Sequence, residues 1–425
     1  MIVIVLFATL IVTLGLGIPI AVCLGLSTMA AILVDGNLPM SLIAQRLFTS
    51  NDSFSLLAVP FFMLAGSIMT AGGISKRLVE FAGTLVGWIK GGLAMVATVA
   101  SMFFAAISGS SSATCAAVGS ALIPEMNKKG YNQEFTAGVI TAAGTTGIVI
   151  PPSVSMVLYA VAAGISVGDA LASGIIPGIL MGLSIITVIY YISVKRDYPA
   201  EKRATLKDIF KTFLSSFWGL LTPVIIIGGI YGGIFTATEA AAASVVYALF
   251  ASCVIYRELK LRDLPKIILS AVKGTAIVMF IMNAAGLFSW MVTVNRIPQI
   301  VTQFFLSITD SPYVILLLIN LLLLFVGTFL NASAAVIILA PILVPVVVSM
   351  GIDPVHFGAL FIVNLAIGTI TPPVGVDLFV VQSITDLPFS TVVKNVIPFM
   401  LALFAVLIIV TYIPQVSLFI PKLFN

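Results

Sequence analysis

The sequence predicts an all-α integral membrane protein, with about ten transmembrane helices and two re-entrant helical hairpins in two inverted repeats. Composition is the first ground. The chain is 60% hydrophobic and 8% charged over 425 residues, whereas soluble domains carry about 25% charged residues. Lipid is therefore the solvent, and spans are helical because lipid offers no partner to a bare peptide group. An internal repeat is the second ground. Residues 108–153 and 329–374 align without a gap, and Ser112, Ala113, Leu122, Pro124, Gly130, Gly147, Pro151 and Pro152 recur as Ser333, Ala334, Leu343, Pro345, Gly351, Gly368, Pro372 and Pro373. Paired apolar segments interrupted by Gly and Pro point to a secondary transporter's binding site. Charge placement is the third. With the N-terminus outside, 17 of the 20 Lys and Arg residues fall on the cytoplasmic side, leaving Arg46, Arg296 and Lys422 outside, in accord with the positive-inside rule.

Residues 2–34 exceed one span of roughly 20 residues and break at Gly15-Leu16-Gly17-Ile18-Pro19, which gives two spans. Met1 leads straight into the first, with no basic segment before it, so this stretch reads as a span rather than a cleaved signal. A third span covers 53–72. Residues 74–90 place Ile74, Leu78, Phe81, Leu85 and Trp88 on one stripe and Lys76, Arg77 and Glu80 opposite, the pattern of a surface-lying amphipathic helix. Apolar arms at 91–108 and 113–126 flank Gly109-Ser110-Ser111-Ser112. The second arm is too short to span, so the pair forms a hairpin, 91–126, with its serine tip at membrane depth. A broken span at 133–163, a span at 170–194 and a basic loop from Lys195 to Lys211 complete a first repeat, residues 1–211. The second repeat, 212–425, follows the same order. Spans lie near 218–234, 237–256 and 267–288, then an amphipathic arm at 296–308. A hairpin at 312–349 has its tip at Asn331-Ala332-Ser333, and a broken span at 354–384 and a last span at 390–413 follow. Five crossings per half make the halves antiparallel, so the two hairpins open to opposite sides.

Two polar clusters stand out. Ser108, Gly109, Ser110, Ser111, Ser112 and Thr114 pair with Gly144-Thr145-Thr146-Gly147 and Pro151-Pro152-Ser153; Gly327, Thr328, Asn331 and Ser333 pair with Gly368-Thr369-Ile370-Thr371 and Pro372-Pro373. Proline has no backbone donor and clashes with the preceding turn, so two in succession free carbonyls. Carbonyls and hydroxyls are hard ligands for a small alkali cation, and half-helix N-termini suit an anionic group. Such residues also serve simple helix packing, but packing alone does not explain two copies, each opposite a Gly…Pro-Pro break. Ser111, Thr145, Thr146, Ser153 and Ser333 are the candidates for contacting substrate, together with Asp377, an intramembrane carboxylate. Glu239 reads as a helix cap after Thr236. His356 reads as interfacial, and Arg46 and Arg296 as solvated outside charges. Cys23, Cys115 and Cys253 form no disulfide framework or metal spacing.

The motifs Gly109-Ser-Ser-Ser-Ala-Thr, Gly147-Ile-Val-Ile-Pro-Pro-Ser153, Thr238-Glu-Ala-Ala-Ala242 and Gly368-Thr-Ile-Thr-Pro-Pro-Val-Gly375 carry a family resemblance. The chain resembles, end to end, the large membrane subunit of tripartite ATP-independent periplasmic (TRAP) transporters of the DctM or SiaM type. The resemblance implies sodium-coupled uptake of a carboxylate, a soluble periplasmic binding protein, a separate small membrane subunit and an elevator-like transport unit in the bacterial inner membrane. It implies one sodium ion at Ser108, Ser110 or Ser112 with Gly147, Ile150 and Pro152. A second would sit at Gly327 and Asn331 with Gly368 and Thr371. The SiaM branch points to sialic acid; dicarboxylates and other organic acids are also carried in the family.

A stand-alone sodium/dicarboxylate symporter of similar inverted-repeat architecture is the alternative, distinguished by transport without a binding protein. The chain is not expected to be an enzyme: it carries no HExxH, no paired catalytic carboxylates and no Gly-x-Ser-x-Gly elbow. A passive channel is disfavoured because the breaks form two closed hairpin sites rather than a charged ring.

Overall fold

The structure, a computed structural model, describes residues 1–36, 38–50, 52–309 and 311–424. Among them every regular element is a helix. The first half runs α1 (Ile2–Gly15), α2 (Ile20–Asp35), α3 (Ser41–Thr49), α4 (Ala58–Ala71), α5 (Ile74–Val86), α6 (Gly92–Ser108), α7 (Ser111–Lys128), α8 (Gln133–Gly144), α9 (Val154–Ala163), α10 (Val167–Ser173) and α11 (Ile175–Arg196). The second runs α12 (Leu206–Tyr231), α13 (Ala237–Leu249), α14 (Leu264–Val294), α15 (Ile297–Ile308), α16 (Pro312–Phe329), α17 (Ala332–Ser349), α18 (Pro354–Gly368), α19 (Val376–Thr385), α20 (Phe389–Tyr412) and α21 (Gln415–Phe424).

Among the described residues, eight helical stretches are long and apolar enough to cross a membrane. Six coincide with expected spans; the other two are α16 and α17, the arms of the second hairpin. The remaining expected crossings are α1 and α2, of 14 and 16 residues, and the two broken spans, each split into half-helices. Burial separates α17 from the rest: 67% of its apolar window is buried, against 28–44% for the other seven. Protein, not lipid, surrounds it.

Packing across the halves is reciprocal. Helix α4 packs on α13 as α14 packs on α2, and α7 packs on α19 as α17 packs on α9. Each contact is its partner's with the halves exchanged, which is the relation a pseudo-twofold imposes.

Several elements differ from expectation for physical reasons. The stripe on α5 does not lie on lipid: Ile74, Leu78 and Phe81 are buried, with the helix packed between α6 and α12. An apolar stripe reads the same whether protein or lipid covers it. The basic loop stops at Thr205, where a capping box with Asp208 starts α12, so that helix continues unbroken into the span. The expected division after residue 211 therefore falls inside a helix. Helices α3 and α21 were not expected; Arg46 on α3 is exposed, as expected, and also lies over the Trp290 ring of α14 at 5.2 Å. Glu239 caps α13 through Thr236, as expected.

His356 is a correction. It is buried, not interfacial, because α21 covers it. Its Nδ1 lies 2.7 Å from Ser417 Oγ and its Nε2 3.2 Å from the Thr411 carbonyl. Thr411 Oγ1 in turn accepts from Asn320 Nδ2, and Asn320 Oδ1 accepts from Asn364 Nδ2. This chain of bonds ties α16, α18, α20 and α21. His356→Leu is expected to lower stability by about 1–2 kcal/mol, since it strands two partners, and Ser417→Ala by less. Thermal unfolding of the detergent-purified protein measures both; unchanged melting of His356→Leu would remove the tie.

Candidate functional site

Two hairpin tips and two helix breaks meet at one cavity of about 180 Å³. Ser108, Gly109, Ser110, Ser111 and Ser112 line it from the first hairpin, and Asn331, Ala332 and Ser333 from the second. Ile148, Val154 and Ser155 come from the first break, Thr369 and Val376 from the other, with Met63 of α4 and Val278 of α14 alongside. The starts of α7, α9, α17 and α19 thus share one space. Each helix start carries unpaired N–H groups and a positive dipole end. No Lys, Arg or His lines the cavity among the described residues.

In the first half the tip rests directly on the break. Gly109 takes φ +61°, and a methyl group added to it would lie 2.6 Å from the Pro152 carbonyl oxygen. One added to Gly147 would lie 2.5 Å from the Ser110 carbonyl and 2.6 Å from Thr114 Oγ1. Backbone therefore meets backbone at both points. Around this contact Ser108 Oγ lies 3.0 Å from Thr114 Oγ1, which donates to the Ser110 carbonyl at 2.8 Å. Ser110 caps α7, accepting from Ala113 N–H. In the second half Gly327 and Gly368 face each other, and a methyl group on Gly368 would come within 2.6 Å of Gly327 Cα. Asn331 caps α17 by accepting from Ser333 N–H at 2.9 Å. The Pro151–Pro152 and Pro372–Pro373 peptide bonds are both cis.

The remaining expected residues divide. Thr145 and Thr146 are buried with hydroxyls donated to their own helix, at Ala142 and Ala143 carbonyls. Thr371 Oγ1 likewise donates to the Ile367 carbonyl. Ser153 caps α9 and donates to the Ile148 carbonyl at 2.5 Å. Ile150 N–H closes a turn onto the Thr146 carbonyl. These residues shape the breaks and are not among those lining the cavity. Ser111 and Ser112 are helical, in the first turn of α7, and both donate to Asp377 Oδ1, at 3.2 and 2.7 Å. Asp377, in the first turn of α19, is fully buried. Ser155 and the apolar Met63 and Val278 were not singled out from the sequence. Ser155 lies two residues past Ser153 of the Pro-Pro-Ser motif, a usable signal; Met63 and Val278 carry none.

The comparisons decide the family. A family model described as "Tripartite ATP-independent periplasmic transporter, DctM component" matches residues 7–416. The chain belongs to this family. Among curated relatives, the C4-dicarboxylate TRAP transporter large permease protein DctM of Pseudomonas aeruginosa is 45% identical over 399 residues, covering 94% of this chain and 93% of that one. The sialic acid TRAP transporter large permease protein SiaM of Vibrio cholerae is 41% identical over 408 residues, covering 96% of each. Among solved structures, the Alcanivorax borkumensis YdaH transporter aligns with a TM-score of 0.63 at 14% identity, covering 88% of this chain and 87% of that one; this likeness concerns fold. The chain is thus a large permease subunit of a TRAP transporter, a multi-pass transporter protein rather than an enzyme.

Substituting the close-contact glycines tests the tip–break contacts. Gly147→Ala and Gly368→Ala should each reduce uptake at least roughly tenfold, the scale of 1.4 kcal/mol, with surface expression retained. Gly83→Ala, where the added methyl meets open space, should leave uptake unchanged. Equal uptake in all three would dissociate these contacts from transport.

Proposed function

We propose that this permease imports an organic acid by sodium-coupled symport, with a small membrane subunit and a periplasmic binding protein that delivers the acid. Four helix starts around one cavity without a basic side chain carry this reading. An anion there is held by N–H groups and hydroxyls of Ser110, Ser155, Asn331 and Ser333, since helix N-termini supply ready-made anion sites. One sodium ion sits where Ser108, Ser110, Thr114 and Pro152 oxygens converge against Gly147, a second at the Gly327–Gly368 contact near Asn331 and Thr371. Unwound backbone carbonyls at such breaks are the usual sodium ligands of inverted-repeat transporters.

The reciprocal packing favours alternating access, with the hairpins and broken helices moving as an elevator against the spans. The N-terminus is periplasmic and the membrane the bacterial inner one, as the charge placement favours. The transported acid is a carboxylate: C4-dicarboxylate and sialic acid, the acids in the names of the two relatives above, are the two to compare. The cavity, below the roughly 300–1,000 Å³ of drug-sized sites, favours the smaller.

Uptake of labelled succinate and of labelled sialic acid into proteoliposomes tests this. Uptake of one of them should require an inward sodium gradient, the small subunit and the matching binding protein together. Uptake by this chain alone would instead support a stand-alone symporter.

A further inference from the structure

Among the described residues, Asp377 is the carboxylate hydrogen-bonded to side chains that line the cavity, and its contacts do not balance it. The residue is fully buried. Oδ1 accepts from Ser111 and Ser112 hydroxyls, but Oδ2 has no hydrogen-bond partner. Burying an unpaired ion is costly even after relaxation. The N-terminus of α19 offsets only part of that cost, and the two hydroxyls serve only the other oxygen. With no Lys, Arg or His lining the cavity among the described residues, a mobile cation is what completes the group.

We propose that Asp377 Oδ2, with the hydroxyl oxygens of Ser111 and Ser112, forms a third sodium position on the seam between the two halves. It rests on the sodium-coupled reading above and adds to its two tip–break positions. A serine hydroxyl that donates its hydrogen to Oδ1 keeps lone pairs for a cation. Both serines line the cavity, so the ion enters from there. A single carboxylate with neutral oxygens balances one positive charge, which selects a monovalent ion over a divalent one. The position exists in one half only: counted from the start of its half-helix, the counterpart of Asp377 is the uncharged Ser155. Since the carboxylate comes from the second half and the hydroxyls from the first, an ion here fastens the first hairpin to the second broken helix.

The test is a sodium titration of the purified protein, without substrate, against potassium at constant ionic strength. Thermal unfolding is one readout, and sodium activation of uptake in proteoliposomes the other. Wild type should be stabilised by sodium. Asp377→Asn should raise the half-stabilising concentration roughly tenfold and lower the Hill coefficient of uptake, whose ceiling is the number of coupled sites. Ser112→Ala, which keeps the carboxylate, should shift the titration in the same direction by less, and carries the test if Asp377→Asn does not purify. Sodium curves unchanged in both variants overturn the proposal. So does an unchanged sodium curve with a flattened pH profile in Asp377→Asn, which would make the group a proton carrier. Absence of any sodium effect in wild type would instead overturn the sodium-coupled reading itself.

Discussion

An unpaired peptide group in hydrocarbon costs several kcal/mol, and this chain begins four helices around one interior cavity. That cost is tolerable only if the broken backbone faces protein or the cavity. The remaining architecture follows from enclosing it. Gly109 and Gly147 in one half, and Gly327 and Gly368 in the other, let tip and break approach closely enough to exclude lipid. Any side chain at these points would separate them and expose the carbonyls they cover. The burial of α17 follows from the same need: its first residues sit at the cavity, so neighbouring helices wrap it rather than lipid.

Enclosure also fixes the electrostatics. Helix starts point N–H groups inward, while carbonyls freed by Pro-Pro lie at the flanks, beside the hairpin tips. An anion and cations are thereby favoured at adjacent places by different ends of the same elements. The Ser108–Ser112 segment belongs to both: its carbonyl and hydroxyls bear on the break, and its N–H groups head α7. An ion that draws the tip onto the break therefore also sets the orientation of the anion's donors. Coupling of this kind needs no long-range pathway, because one short segment is shared.

Hairpins, breaks and most spans were legible in the sequence because Gly and Pro punctuate them and lipid-facing helices are uniformly apolar. The tip–break pairing was legible from the repeat. What the sequence did not disclose depends on contacts distant in the chain. His356 looked interfacial because its covering helix, α21, is ten residues with a charged residue near its end, a pattern shared with ordinary tails. The α5 stripe gave no sign of which apolar surface covers it. Thr145 and Thr146 matched the polar signature of a site, yet a threonine in a helix readily returns its hydroxyl to its own backbone, and both do so. The serines meeting Asp377 lie more than 260 residues away from it, beyond any local pattern.

Symmetry and its breaking have separate physical roles here. The exchanged contacts of α4 with α13, α14 with α2, α7 with α19 and α17 with α9 relate the two halves as near copies in packing. A perfectly symmetric cavity, however, would hold its contents equally from either side. Counted from the starts of their half-helices, Asp377 stands where the other half has Ser155, and Asn331 where it has Ser110. Among the described residues, the first hairpin tip therefore hydrogen-bonds a buried carboxyl group and the second does not. On the proposed reading, an ionised Asp377 favours a cation at the first tip and biases the substrate anion toward the second, at Asn331 and Ser333. On that reading, direction in the site comes from one carboxylate within an otherwise twofold frame.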